Sequence, residues 1–413
     1  MMPAPKNITL GNWYYLLVLF VLAISTYLAM PDMDNQAGMG TGLSTIALAG
    51  LAAIQLPLLA IIIGRRFKYT EDATQFIPRF ILYYTIYFCW MTAITLLNDD
   101  AHNIFGLTIV SMTIVVFPIV LICSYYRARY SELDKWFYIA VIFLMLCIAL
   151  QYKNLYSVAN LIGDEGSHIG VSYFPLFVLP ILLIPSSRIV RYASIALTTI
   201  IIISSIKRGG MIALGASLIV YILTKQFVKG RGKISLIITL LIIVLVMGGG
   251  LYYLSESTDN DIIERFESLS DDGGSDRDIL WIDTYHNILN RDLGDRMVGN
   301  GYRSAQKVSI LQLPAHNDVL EIWYDWGGIG LVLYGIAFIS LCLYTWRMIR
   351  RKSRYAPHMA MAITIYFIIS MISIVILYHW MVLVMFSIGI LAGLADKELE
   401  EQQKQQSELI QDS

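Results

Sequence analysis

The feature that most limits what this chain can become is a recurrence. Apolar stretches of about 15 to 22 residues return along nearly its whole length, close to the roughly 20 residues a helix needs to cross a hydrocarbon layer. They lie near 12–30, 43–64, 80–98, 103–124, 136–152, 171–187, 192–206, 211–225, 234–254, 327–346, 359–378 and 380–395. One water-facing globule could not bury them all, since 57% of the 413 residues are hydrophobic, 15% are charged and the mean hydropathy is +0.62. In lipid each backbone N–H and C=O must be satisfied within its own segment, so runs of this length are read as helices. The expectation is an all-α polytopic membrane protein with about twelve transmembrane helices. The sixth to eighth runs are short or broken, by Pro175, Pro180 and the turn Lys207-Arg208-Gly209-Gly210, so the count carries a margin of one or two. Only Lys6 precedes the first run, which is long for a signal-peptide core and reads as a retained helix.

The formal net charge of -1 conceals an ordering of charges along the chain. With the N-terminus inside, cytoplasmic loops receive Arg65, Arg66, Lys68 and Arg79, then Arg127, Arg129 and Lys135, then Arg188 and Arg191. Lys225, Lys229, Arg231 and Lys233 follow, and then Arg347, Arg350, Arg351, Lys352 and Arg354. This choice puts 21 of the 30 Lys and Arg inside, and six of the other nine fall in one long loop, where the positive-inside rule has little force. Both termini are therefore expected in the cytoplasm of a cell whose inner membrane holds the protein. The tail 397–413, rich in Glu and Gln, reads as a solvated helix or a disordered end.

Several function classes lose ground on composition. Apart from Lys225, the last residue of the eighth run, the twelve cores contain no Asp, Glu, Lys, Arg or His, whereas ion-coupled transporters need ionisable groups at depth. The two halves show no duplication either, which also counts against a secondary transporter. Nucleic acid is excluded as a partner by the lack of a basic or aromatic-basic domain. Cys89, Cys123, Cys147 and Cys342 lie in apolar runs and read as packing residues. Asp99-Asp100 and Asp271-Asp272 read as solvated turns rather than metal ligands, and Gly248-Gly249-Gly250 as close helix packing. No Gly-rich phosphate loop follows a strand, and no cytoplasmic segment is large enough to hold a nucleotide sugar.

The domain plan is nine helices over 1–254, an outer loop over 255–326, three helices over 327–396 and the tail. A connection as long as 255–326 normally carries its own structure and a function. A helix is predicted over 261–269, a turn over 271–276, and an amphipathic helix from Arg277 to Asp292. Gly294, Gly299 and Gly301 mark tight backbone before Tyr302 and Arg303. After Pro314, a favoured first helical residue, a last helix is predicted. It groups His316 with Val319, Leu320 and Trp323 on one face, while Asn317, Asp318, Glu321 and Asp325 project elsewhere. It lies at the membrane surface and feeds into Gly327-Gly328-Ile329-Gly330 at the tenth span.

Three segments within about 190–350 resemble the bacterial O-antigen ligase and polymerase superfamily. The first is Ser205-Ile206-Lys207-Arg208-Gly209-Gly210, similar to that family's arginine-glycine turn at the outer end of a helix pair. The second is Gly274-Ser275-Asp276-Arg277-Asp278-Ile279-Leu280-Trp281 with Val298-Gly299-Asn300-Gly301-Tyr302. The third and most specific is His316-Asn317-Asp318-Val319-Leu320-Glu321 with Gly327, Gly328 and Gly330. Lys207 before Arg208 and a compact loop depart from the family's pattern. The resemblance implies a membrane glycosyltransferase of the GT-C type. Such an enzyme needs no cofactor or metal and moves a glycan from a polyprenyl diphosphate carrier to an acceptor sugar hydroxyl. A ligase uses the lipid A core as acceptor, and a polymerase uses another carrier-linked repeat unit; the two share the machinery visible here.

The residues suit that chemistry. The leaving group is a lipid diphosphate, and fixed guanidinium groups can hold its oxygens in a bidentate fork as charge develops. Arg208 at the membrane rim and Arg277 on the loop are the candidates; a headgroup contact and a helix-start ion pair are their ordinary alternatives. The acceptor hydroxyl must lose a proton, which a neutral histidine can take, and a nearby arginine helps keep it neutral beforehand. His316 is the candidate base, against the usual structural role of a lone histidine on an apolar face. Lys207, Asn317, Glu321, Arg303, Tyr302, Trp281 and His379 are expected around the substrates. His286 is a weaker candidate, and His102, His168 and His358 read as incidental. A flippase of lipid-linked oligosaccharides and a non-enzymatic scaffold for envelope assembly are the competing readings.

Overall fold

The structure is a computed structural model that describes residues 77–98, 104–130, 173–185, 187–204, 208–230, 277–377 and 380–411, with isolated positions at 50, 138, 139, 142, 143 and 146. Isolated positions apart, the spans expected near 12–30, 43–64, 136–152 and 234–254 lie outside the described residues. So do the helix expected over 261–269, the turn over 271–276 and the glycine run 248–250.

All regular structure among the described residues is helical. The helices are α1 Arg79–Asn98, α2 Ile104–Tyr130, α3 Phe174–Leu182, α4 Arg188–Ser204 and α5 Arg208–Lys229. In the loop come α6 Arg277–Leu289, α7 Leu293–Val298 and α8 Ser304–Val308. The C-terminal part holds α9 Asp318–Arg350, α10 Ala356–Ile372 and α11 Trp380–Gln411. Among the described residues, four stretches are long and apolar enough to cross a membrane: Arg79–Leu97, Gly209–Lys229, Asp318–Arg350 and Trp380–Leu409. Ala356–Ile372 is a shorter apolar helix. The tail expected beyond 397 continues α11 as an exposed helix to Gln411.

Packing pairs α1 with α9, α2 with α11, and α5 with α10. The α2–α11 pair is close because Gly389 and Gly393 face the backbone of Leu121 and Tyr125; a Cβ at Gly389 would stand 2.6 Å from Leu121 O. Side-chain bonds define two ends of the bundle. At one, Tyr125 and Tyr344 both donate to Asp396, each at 2.7 Å, Arg129 pairs with Glu400, and Ser353 donates to Glu398. At the other, Trp90 Nε1 donates to Trp326 O at 2.9 Å, and Trp326 Nε1 to Thr95 Oγ1 at 3.2 Å. Arg127, Arg129, Arg347, Arg350, Arg351, Lys352 and Arg354 gather at the first end, and the loop helices at the second.

Two boundaries differ from the sequence reading. The helix placed after Pro314 starts only at Asp318, because His316 has a φ of 52° and Asn317 is the N-cap. The Asn317 side-chain oxygen accepts from Val319 N at 3.0 Å and Leu320 N at 3.2 Å, which ends the loop there. The helix from Arg277 stops at Leu289, and α7 follows after a short turn. Gly327, with φ 71° and ψ -179°, breaks α9 into a first part of about two and a half turns that carries the carboxylates and the long apolar run.

Candidate functional site

The site is organised by the first, polar part of α9. Asp318, Glu321 and Asp325 follow i, i+3, i+7 spacing and so share a face. That face points inward, and all three side chains are fully buried. The sequence groups the apolar Val319, Leu320 and Trp323 as a face with His316. Instead His316 precedes the helix, the three apolar residues are only half-buried, and the carboxylates are the interior groups. A periodicity argument assigns acidic residues to solvent and misses this because the donors that satisfy them are backbone groups of other loops.

Each carboxylate holds a different segment. Asp318 Oδ1 accepts from Val375 N at 2.9 Å and Ile376 N at 3.3 Å, fixing the turn between α10 and α11. Glu321 Oε2 accepts from Ala315 N at 2.8 Å, one residue before His316. Asp325 Oδ2 accepts from Arg303 N at 2.7 Å, and its Oδ1 from Ser304 Oγ and Ala305 N, both at 2.8 Å. Asp318 Oδ2 and Glu321 Oε1 are buried with no hydrogen-bond partner. The guanidinium of Arg303 acts electrostatically on both Glu321 and Asp325, which offsets part of the cost of burying these charges.

Around this rack stand several residues named from the sequence. Arg303 lies in the left-handed region, with φ 59°, and stacks over the Tyr302 ring at 5.4 Å. Tyr302 Oη donates to Leu377 O at 2.7 Å, which ties the loop to the same inter-helix turn that Asp318 holds. Asn317 Nδ2 donates to Met371 O at 3.2 Å, so the His316-Asn317 strap is fastened to the end of α10. Glycines permit the closest approach. Gly299 and Gly327 have positive φ and touch: a Cβ at Gly299 would lie 2.5 Å from Gly327 N. Gly301, also at positive φ, donates its N–H to Asp325 O at 2.7 Å, whereas Gly294 faces open space and marks no tight backbone.

The segments that carry Arg208 and Arg277 approach from another side. Gly209, next to Arg208 at the start of α5, faces Ile372 and Tyr173; an added Cβ would meet Ile372 Cδ1 at 2.6 Å and Tyr173 Oη at 3.2 Å. Tyr173 interacts electrostatically with Arg277 and packs edge-on against Trp380 at 5.9 Å. Tyr173 thereby joins the α5 start, the α6 start and the α10–α11 turn. Nothing in the sequence singled it out, because it sits in an apolar run with no motif around it. The Arg208 side chain, Lys207 and His379 lie outside the described residues. Trp281, on α6, is half-buried with a buried Nε1 that has no hydrogen-bond partner. Two histidines stand apart: His286 is exposed on α6, and His358 is buried with Nε2 3.3 Å from Leu183 O and its ring edge-on to Tyr221 at 5.2 Å.

The arrangement thus brings the His316-Asn317 strap, Tyr302, Arg303, Arg277 and the Arg208 backbone to one end of the bundle. It groups an imidazole with the guanidinium groups of Arg277 and Arg303, a set whose chemistry suits an anionic ligand. No curated protein matches the chain. Residues 193–335, a stretch containing Arg208, Arg277, Trp281, Tyr302, Arg303, His316, Asn317 and Glu321, match the family described as O-Antigen ligase, and this match supports the O-antigen ligase and polymerase superfamily for that part of the chain.

Proposed function

We propose that this protein transfers a glycan from a polyprenyl diphosphate carrier to an acceptor sugar hydroxyl, on the periplasmic face of a bacterial inner membrane. The observation that carries the reading is the convergence of three separate sequence segments at one end of the helix bundle. Asn317 is fastened to Met371, Tyr302 to Leu377, and Tyr173 stands between Gly209 and Arg277. The opposite end gathers the basic residues of α2 and α9, as the positive-inside rule asks of the cytoplasmic side.

In the proposed reaction the acceptor oxygen attacks the anomeric carbon while the bond from that carbon to the diphosphate oxygen breaks. The hydroxyl proton passes to His316, and the polyprenyl diphosphate leaves with its negative charge held by Arg208 and Arg277. Attack opposite the leaving group inverts the anomeric centre, and the arginines take the charge-stabilising part without a metal. Tyr302, Arg303, Trp281, Asn317, Lys207 and His379 border the sugars or the diphosphate, whereas Glu321, with no exposed surface, acts on the site through Ala315.

His316→Ala and Arg208→Ala should insert normally and give no polymeric or ligated glycan when lipopolysaccharide is resolved on a gel; full product from either would overturn the assignment. Labelled donor should collect on the outer leaflet in these variants. Collection on the inner leaflet would identify a flippase. Deleting the protein should leave lipopolysaccharide with one repeat unit for a polymerase and none for a ligase.

A further inference from the structure

Helix α7 sits directly on the kink of α9. A Cβ at Gly328 would meet Met297 Sδ at 3.3 Å and Arg296 O at 3.6 Å, and Gly327 faces the backbone of Met297 and Val298. Gly328 is the first position of a helical stripe that continues through Val332, Ile336, Ile339 and Leu343 at spacings of four, four, three and four. All four of these side chains are exposed, Val332 by 61%. On a helix long and apolar enough to span a bilayer, such a stripe is the face turned to lipid. Met297 therefore stands at the top of the lipid-facing surface. Leu293, one turn before it on α7, is 72% exposed, and Leu289 at the end of α6 extends the same apolar edge. Asp295, two residues from each, falls on the opposite side of α7 and is exposed too, so the short helix is apolar on one side and charged on the other. Trp90, whose Nε1 bonds Trp326 O, lies against Gly330 at the same level, where tryptophans favour the boundary between headgroups and chains.

We propose that α7 is an interfacial anchor whose partner is the bilayer itself: Leu293 and Met297 enter the upper edge of the acyl region on the loop's side of the membrane. Segments of this kind bury their apolar side roughly 5–10 Å into the boundary. The anchor sets the depth at which the loop and the His316-Asn317 strap are held, and it stands whether or not the protein transfers glycans.

The test uses the full-length protein with its four cysteines replaced by alanine, carrying a nitroxide at Leu293→Cys, Met297→Cys, Asp295→Cys or Ile336→Cys, in phosphatidylcholine–phosphatidylglycerol vesicles. Labels at 293 and 297 should relax faster with oxygen than with a water-soluble nickel chelate, as the lipid-facing label at 336 does, while the label at 295 should respond to nickel. A nickel response at 293 and 297 equal to that at 295 overturns the proposal. Low access to both reagents with spin–spin broadening also overturns it, in favour of a second copy. A lipid signature that develops only on adding polyprenyl phosphate overturns it in favour of the carrier chain. Elution of each variant as the parent protein does establishes that the fold is intact.

Discussion

His316 and Arg303 share a property that no side-chain argument would suggest: both hold positive φ, at 52° and 59°. A non-glycine residue in that region costs on the order of 1 kcal/mol or more, and such positions collect at functional sites. Replacement by asparagine, which tolerates the left-handed region, removes the imidazole and keeps the backbone. His316→Asn is expected to lower transfer by about 100-fold or more, the usual contribution of a general base, with an unchanged melting temperature in detergent. A large fall in melting temperature would instead make His316 a structural residue. Asn317→Ala removes an N-cap and the bond to Met371 O, and should destabilise the protein by roughly 1 kcal/mol, read from thermal unfolding. At Asp325 the demand is stricter, because three donors converge on its two oxygens. Asp325→Asn turns an NH2 toward at least one donor, costing about 1–3 kcal/mol, and should expose the 303–305 segment to proteolysis.

The decisive element is α9, which is two structures joined at Gly327. Its first part works as a polar rack and its second as an apolar span, and the break lets both exist on one continuous stretch of chain. With φ 71° and ψ -179°, Gly327 occupies a region essentially closed to other residues, and the backbone of Met297 and Val298 leaves no room for a Cβ. Gly327→Ala is therefore expected to reduce folded protein in the membrane sharply, measured by fluorescence-detected size exclusion, whereas Gly294→Ala should be neutral because open space surrounds it. Equal effects of the two would show that the α7–α9 contact is dispensable. The glycines at 299, 301 and 327 were legible as punctuation in the sequence. The contact of Gly299 with Gly327 was not, because it joins residues whose partners depend on how α7 docks.

At the scale of the molecule, the two ends of the bundle differ in chemistry. One is closed by Arg129, Asp396, Glu400, Tyr125 and Tyr344, the other carries the loop and the candidate site. Arg129, with a side chain only 10% exposed, ties α2 to Glu400 of α11, so Arg129→Ala removes that tie while Asp396 keeps its bonds from Tyr125 and Tyr344, and it should loosen α2 from α11; a disulfide-crosslinking assay between the two helices reads this directly. The amino-acid sequence alone determined membrane residence, the helical class and the order of charges, since hydropathy and the positive-inside rule depend on composition over windows of residues. It also marked the His316-Asn317 and Arg277 segments. Only the tertiary structure decided that Asp318, Glu321 and Asp325 face inward, that Tyr173 links the arginine segments, and that the break in α9 seats α7. Those outcomes depend on which distant backbone donors reach a buried carboxylate or touch a missing Cβ, and no local pattern encodes a partner more than a few residues away.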